Sequence, residues 1–568
     1  MVGAIEIELE ALTRRPSRVP KSRAQRGTSE CDASWVTKVR QPRGFLAKFG
    51  WLCETCVPMK KLRLLHFSLS LLVGLALFPT PNLAQTPADK EKGEKVVIDS
   101  HAPGKPFPHF WEQTFGSGRA ILVLREGYQR DLREVKKVTG LSYVRFHNIL
   151  HDEDGVYDED EQGHPVYNFS YVDQIYDALL ANGVRPFVEI SFMPKKLALR
   201  QDVHPFWYKQ IVSPPKDFDK WDGLIRALAQ HLVDRYGIDE VAQWYFEVWN
   251  EPNVDFWTGD PKQATYFELY DHTARALKSV SLRLRVGGPA TSSAHWVDDF
   301  IQHVATQNVP TDFISSHGYA DDTVQDLFGT NEPVPMDRRL CLAIKKVHDQ
   351  IAASARPTLP LMWTEWNVPS FGPLNARDTE YVGAALADDI RQCDGLVNMM
   401  SFWTFSDVFE ENGPGREPFN GSFGLVALGG IKKPSYVAFG VLHKLGDERI
   451  GQDAPDVLVT RRRDGTLAIA AWNLVDPDAK GAPRTVEFQI HGMPPDSPVR
   501  VSRADAEHGN TLAAYQKMGS PRYPTQAQIR ELNRIADADS TQNLRLSGGS
   551  IKLQVPVNGV LLLELDKK

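Results

Sequence analysis

Cysteine is scarce. Only 5 occur in 568 residues, and Cys31, Cys53 and Cys56 lie before residue 60. Cys341 and Cys393 remain in the body of the chain and can make one pair at most, so a disulfide-stapled scaffold is excluded. Cys53 and Cys56 form a CxxC, but no second pair or histidine partner follows at zinc-site spacing, and we read it as chance. A basic surplus is lacking too. The formal net charge is -7, which gives no reason to expect nucleic acid as a partner. There is no HExxH, so no metal is expected. No GxSxG elbow follows a strand, which leaves a Ser-His-Asp hydrolase unsupported. No glycine-rich phosphate turn follows the first strand, so an open doubly wound sheet has no ligand argument behind it.

A membrane-length apolar run is also missing. The stretch from Leu64 to Phe78 is shorter than the roughly 20 residues a span prefers. Lys60, Lys61 and Arg63 precede it, and Asn82-Leu83-Ala84 offers a small-residue cleavage site after it. Together these read as a secretory signal over 59–84 that opens at Met59. Residues 1–58 are rich in Arg and Pro without an apolar period, as in RRPSRVPKSRAQR, and read as a disordered or start-site extension. The expected product is secreted or periplasmic, begins near Gln85 and has no stable membrane insertion. An amino-terminal anchor is the alternative, because Asn82 fits its cleavage-site position poorly.

What the chain does have is aromatic rings, with 13 tryptophans and 16 tyrosines. Most belong to the core, but such flat amphipathic rings also stack on sugar faces. After a polar linker (85–95), strand-like runs alternate with amphipathic helices from 96 to about 440. The candidate strands are 110–115, 141–147, 185–190, 243–249, 283–288, 313–317, 361–365 and 399–405. Eight strands in alternation with helices fit a (β/α)8 TIM barrel. Two helices support the count. In one, Val172, Ile175, Tyr176 and Leu179 form the apolar face, Ser170 is the expected cap with Asp173 three residues on, and Gly183 is the stop. In the other, Trp221, Leu224, Ile225, Leu228 and Leu232 recur before Gly237. Beyond 441 the period changes to short strands with Asp-Gly, Pro and Ser-Gly-Gly turns, interrupted by a helical segment near 525–536. This predicts a β-sandwich-like accessory domain over 441–568, completed by the strand at Val96.

The stretch QWYFEVWNEPN (243–253) is the one the rest serves. Its first half suits a buried strand, and Pro252 ends the ladder, which places Glu251 at the carboxyl tip. Nearby indoles (Trp244, Trp249, Trp257) predict a poorly solvated carboxyl with a raised pKa, as a general acid needs. A second carboxylate, Glu365, ends the seventh strand between Trp363 and Trp366. Strands four and seven face each other across a barrel, so the two acids should meet within a few ångströms. Glycoside hydrolysis needs such a pair. Other strand tips bring His147 beside Arg145, Glu189 (equally a structural partner for Arg145), His317 with Tyr319, and Trp403 followed by Asp407, Glu410 and Glu411. A single histidine at such a tip is more often a core residue than a ligand, but polar groups beside aromatics at five tips favour a site.

YVRFHNILHDE, RPFVEISFMPKKLA, WNEPN around Glu251, WTEWN around Glu365, WTFSDVFEE and ADAEHGNTLAAYQKMGSPRYPT, in that order, resemble glycoside hydrolase family 39, in its β-xylosidase branch. The likeness runs from about His109 to the end. It implies a retaining double displacement with Glu251 as acid/base and Glu365 as nucleophile. It further implies that Asn250 holds the sugar 2-hydroxyl and that His147, His317, Tyr319, Trp403 and Glu411 line the pocket for the terminal sugar. Two departures stand out. Asn420 replaces an expected histidine, and SSHGYADD offers no cation near His317 for a uronate, which favours a neutral sugar. The expectation is an exo-acting β-xylosidase on xylo-oligosaccharides or xylosides, without metal or cofactor, with a homo-oligomer left open. The alternatives are another family specificity (arabinoside, glucoside or uronide) and a non-catalytic carbohydrate-binding protein.

Overall fold

Eight parallel strands close into a barrel in the computed structural model, which describes residues 94–566 apart from 370–374, 452–453 and 477–478. The signal segment and the extension before it lie outside the described residues. In chain order the barrel strands are Thr114–Gly116, Tyr143–Phe146, Arg185–Ile190, Tyr245–Val248, Arg285–Thr291, Phe313–His317, Leu361–Trp366 and Met399–Phe402. All eight expected strands are present. The first begins later than the aromatic run suggested, because Phe110 and Trp111 are buried in the core from the loop that leads into it. Every neighbouring pair is parallel, and the eighth strand pairs with the first through Phe402 and Phe115.

The helices form where the apolar spacing put them. Ser170–Ala181 buries Val172, Ile175, Tyr176 and Leu179, and the chain turns away at Gly183, whose φ of 65° is readily adopted only without a side chain. The expected Ser170 cap is not used. Asn168 instead accepts the Ser170 amide, while Asp173 reaches His231 at 2.6 Å on the neighbouring helix. Phe218–Tyr236 buries Trp221, Leu224, Ile225, Leu228 and Leu232, capped by Asp217.

The carboxyl-terminal region is built from two sheets. A seven-stranded antiparallel sheet runs in the order Gly104–Pro106, Glu448–Ile450, Val457–Arg461, Leu467–Trp472, Val560–Leu565, Pro498–Ala504, Gln542–Arg545. A three-stranded sheet holds Glu94–Asp99, Arg484–His491 and Ser550–Val555, with the first two parallel. Val96, Ile98, Phe488, Ile469, Leu563 and their neighbours fill the space between the sheets. The run LAIAAW is apolar throughout because both of its faces are covered. Leu467, Ile469 and Ala471 face the sandwich core, whereas Ala468, Ala470 and Trp472 belong to the core shared with the barrel. Helices Thr511–Lys517 and Gln526–Ala536 interrupt the strands, the second opened by a capping box at Thr525 and Gln528. Cys341 and Cys393 form a disulfide between two barrel helices. Among the described residues, no helix is long and apolar enough to cross a membrane.

Candidate active site

The barrel interior is layered. Near its amino end Phe187, Phe313, Met362 and Met399 make a dry plug with Tyr143 and Tyr245. Above the plug the inward positions turn polar around one buried guanidinium, that of Arg145. It reaches Glu247 at 2.6 Å through Nε, Glu365 at 2.7 Å through Nη1, and both Glu189 (2.9 Å) and Asn250 (2.8 Å) through Nη2. Burial alone would discharge an arginine, but Glu247, Glu189 and Glu365 outweigh it and hold the proton firmly. Glu189 is therefore a structural partner of Arg145, and it also binds His147 Nδ1 at 2.7 Å. Since a carboxylate only accepts, that ring nitrogen carries the hydrogen and leaves Nε2 facing the cavity.

The turn after the fourth strand is strained. Trp249 and Glu251 have φ of 72° and 42°, left-handed values that cost side-chain-bearing residues about 1–3 kcal/mol each. The Glu251 amide donates to the Ala290 carbonyl at 2.8 Å, which fixes the turn against the next strand. The result aims Glu251 at His317, whose Nδ1 lies 3.0 Å from its Oε1 and 3.6 Å from Oε1 of Glu365. One ligand atom from each of Glu251, His317 and Glu365 lies within 4.8 Å of the others. Carboxyl groups about 5–5.5 Å apart are the spacing of a retaining glycosidase. Tyr319 donates its hydroxyl to Oε2 of Glu365 at 2.8 Å, so both oxygens of that carboxylate are held.

The electrostatics of Glu251 differ from the expectation. Burial pushes its carboxyl up, but the His317 hydrogen bond and charge, a Ser292 hydrogen bond and the His147 charge bring it down on balance. The tryptophans do not surround it. Trp249 donates to the Phe256 carbonyl and packs edge-on to Trp257, and Trp244 packs against Tyr176 and Tyr236, all within the core. His317 is raised despite its burial, first by the charge of Glu365 and then by the Glu251 hydrogen bond. Glu251 and His317 thus form a hydrogen-bonded pair in which each favours the charged form of the other. Glu411 behaves oppositely: burial, partly offset by His147 and reinforced by Glu365 and Glu251, pushes it up to about 8.

A cavity of about 350 Å³ opens over this group. It is lined by His147, Asn250, Glu251, Tyr319, Glu365, Trp403 and Glu411, together with Phe206, Phe256, Asp321, Asp322, Arg377 and Phe423. His317 lies against its wall through Glu251 and Glu365. Trp403 fits because the first strand offers Gly116 opposite it, where a Cβ would lie 2.0 Å from the indole. Two acids beyond the eighth strand turn elsewhere: Asp407 pairs with Lys433 at 2.9 Å, and Glu410 with Arg119 at 2.9 Å and with Arg125. Asn420 lines neighbouring grooves, not this cavity.

The sequence reading missed Arg377. It brings a cation to the cavity that SSHGYADD does not supply, stacks 4.3 Å over Phe423, donates through Nε to the Val368 carbonyl at 3.2 Å and lies 3.9 Å from Asp321. It lies in the short 3-10 turn Ala376–Asp378, which carries no period and gave no local signal. The aromatic walls Phe206 and Phe256 were missed for the same reason, since they come from long loops after strands three and four.

The arrangement can protonate a leaving oxygen from one side of a sugar and attack it from the other. Comparison with known proteins agrees. The model of the family "Glycosyl hydrolases family 39" matches residues 94–548. A β-xylosidase of Geobacillus stearothermophilus is 39% identical over 487 residues, covering 83% of this chain and 96% of that protein. A β-xylosidase of Caldicellulosiruptor saccharolyticus is 36% identical over 462 residues, covering 79% and 93%. The solved structure of a family 39 β-xylosidase from Caulobacter crescentus superposes with a TM-score of 0.72 at 35% identity, covering 84% of this chain and all of that one. With the barrel, the paired acids and these likenesses together, the chain belongs to glycosyl hydrolase family 39 and is a glycoside hydrolase.

Proposed function

We propose that this hydrolase is a retaining exo-β-xylosidase that releases xylose from non-reducing ends by double displacement. The observation that carries the reading is the approach of Glu251 and Glu365 to within 4.8 Å around His317. In the first step a Glu365 oxygen bonds to the anomeric carbon as the glycosidic C–O bond breaks, and the leaving oxygen takes the proton from Glu251. In the second, water gives a proton to Glu251 as its oxygen bonds to the same carbon and the Glu365 ester is released. Tyr319 and Arg145 hold the two oxygens of Glu365, and His317 sits where it can follow the charge on both acids.

The remaining wall suits one terminal sugar. Asn250 accepts from Arg145 Nη2 at its Oδ1, so its amide hydrogens are left for the sugar 2-hydroxyl. His147, Trp403 and Glu411 complete the ring of contacts. Carboxylates outnumber Arg377 in the cavity lining, and that surplus disfavours a uronate and favours a neutral sugar. The two β-xylosidase relatives support xylose as that sugar. We further infer export through the signal at 59–84, with the native product beginning near Gln85. Amino-terminal sequencing that finds residues upstream of that point would contradict it.

The test is a panel of aryl β-xylosides, arabinosides and glucosides, with the product anomer followed by NMR. Retention with xyloside preference is expected. No release from any of them, or an inverted product, would defeat the proposal.

A further inference from the structure

A second cluster of donors lies away from the cavity, on the face of the barrel where the strands begin. His109 and Glu112 come from the loop before the first strand, and His443 from the end of the helix Pro434–Leu442. His109 Nδ1 is 2.6 Å from Oε1 of Glu112, and His443 Nδ1 is 2.8 and 2.9 Å from its two oxygens. One ligand atom from each lies within 4.8 Å of the others. We propose that His109, Glu112 and His443 form a binding site for a divalent first-row transition ion that clasps the barrel's first strand to its last helix.

The donor set fits that chemistry. Two imidazoles and one carboxylate suit zinc and its neighbours, whereas calcium and magnesium ask for oxygen ligands. Tetrahedral bonds of about 2.0–2.1 Å place ligand atoms roughly 3.3 Å apart, so His109 needs retreat by about 0.7 Å and His443 by about 0.5 Å. The carboxylate is fully buried, and both ring nitrogens converge on it from the solvent side. His443 is 42% and His109 21% exposed in their side chains, which leaves a path of entry and an open coordination position. The supports are in place: His109 stacks on Trp111 at 4.5 Å, and Gly140 closes behind Glu112, where an added Cβ would lie 3.3 Å from Oε1. Arg462 sits near enough to oppose a cation, but Glu564 holds it at 2.9 Å. Without an ion the same atoms make a histidine–carboxylate–histidine hydrogen-bonded group, so the experiment has to separate the two.

The full chain is stripped with chelator and titrated with Zn²⁺ by calorimetry, and its melting temperature is followed with and without the ion. The wild type is expected to bind one Zn²⁺ here and to melt higher in its presence. His443→Ala and His109→Ala, both remote from the catalytic cavity, are expected to weaken that event at least tenfold and abolish the melting shift, with turnover in chelator unchanged. A wild type with no such event, or variants that bind and melt as the wild type does, would overturn the proposal. Zinc captured by Glu251, His317 and Glu365 instead would inhibit turnover and survive both substitutions, which also counts against it.

Discussion

Arg145 donates through Nη1 to Oε1 of Glu365 at 2.7 Å while its other nitrogens serve Glu247, Glu189 and Asn250. One guanidinium therefore orients Glu365 and neutralises the floor beneath it. Lysine would keep the charge but not the fork. Arg145→Lys is expected to lower kcat by up to about 100-fold, because Glu365 loses the group that positions it. It should also lower the urea midpoint, because buried carboxylates lose partners. Unchanged values of both would show that the floor does not matter.

The two acids should separate kinetically. Glu365→Ala is expected to stop turnover of every glycoside. Glu251→Gln should abolish turnover of poor leaving groups yet partly spare activated aryl xylosides, since these depart without a proton. Equal losses on both substrate types for Glu251→Gln would remove it from the acid/base role.

Tyr319→Phe deletes the 2.8 Å hydrogen bond to Oε2 of Glu365 and little else. We expect a fall in kcat of roughly 10- to 1,000-fold with KM changed far less, the pattern of an interaction felt in the transition state. A rise in KM with kcat intact would place the hydroxyl on the bound sugar instead.

Glu411 sets a pH dependence of known sign. Its folded carboxyl keeps a proton to about 8, against an ordinary value of 4.5, so the folded state binds more protons between those limits. Stability should fall as pH rises through that window. Ionisation above about 8 also adds a negative charge beside Glu365 and should depress kcat/KM on the alkaline side. Glu411→Gln cannot ionise, so it should flatten both trends, measured by melting curves and by pH–rate profiles.

Removing the disulfide tests the scaffold alone. Cys341 and Cys393 are separated by 52 residues, and a crosslink over such a loop contributes about 2–4 kcal/mol. Cys393→Ser should lower the melting temperature while leaving kcat near its original value at 25 °C.

Much of this was legible because strands and helices announce themselves by period. Arg185–Ile190 and Phe313–His317 were bounded to the residue, since apolar runs there end at sharp polar tips. The pairing of Glu251 with Glu365 followed from barrel geometry alone. Three things were not legible. The pKa of Glu251 depends on His317, 66 residues away, whose hydrogen bond and charge, together with Ser292 and His147, outweigh burial. Arg377 reaches the cavity from the short 3-10 turn Ala376–Asp378, which no period encodes. Ser170 does not cap the helix Ser170–Ala181 because it is the first helical residue itself; its amide donates to Asn168, and Asp173 bonds His231 on the neighbouring helix.

The pairing of Glu94–Asp99 with Arg484–His491 has a consequence for synthesis. Glu94 and Arg484 bond across 390 residues. As the ribosome works from the amino end, Val96 and Ile98 emerge long before the strand that will cover them. They must wait, uncovered, while the whole barrel is made. A chain cut short after the barrel would keep this strand with no place to lie, so the accessory region is a partner the amino terminus needs and not a tail that can be trimmed away.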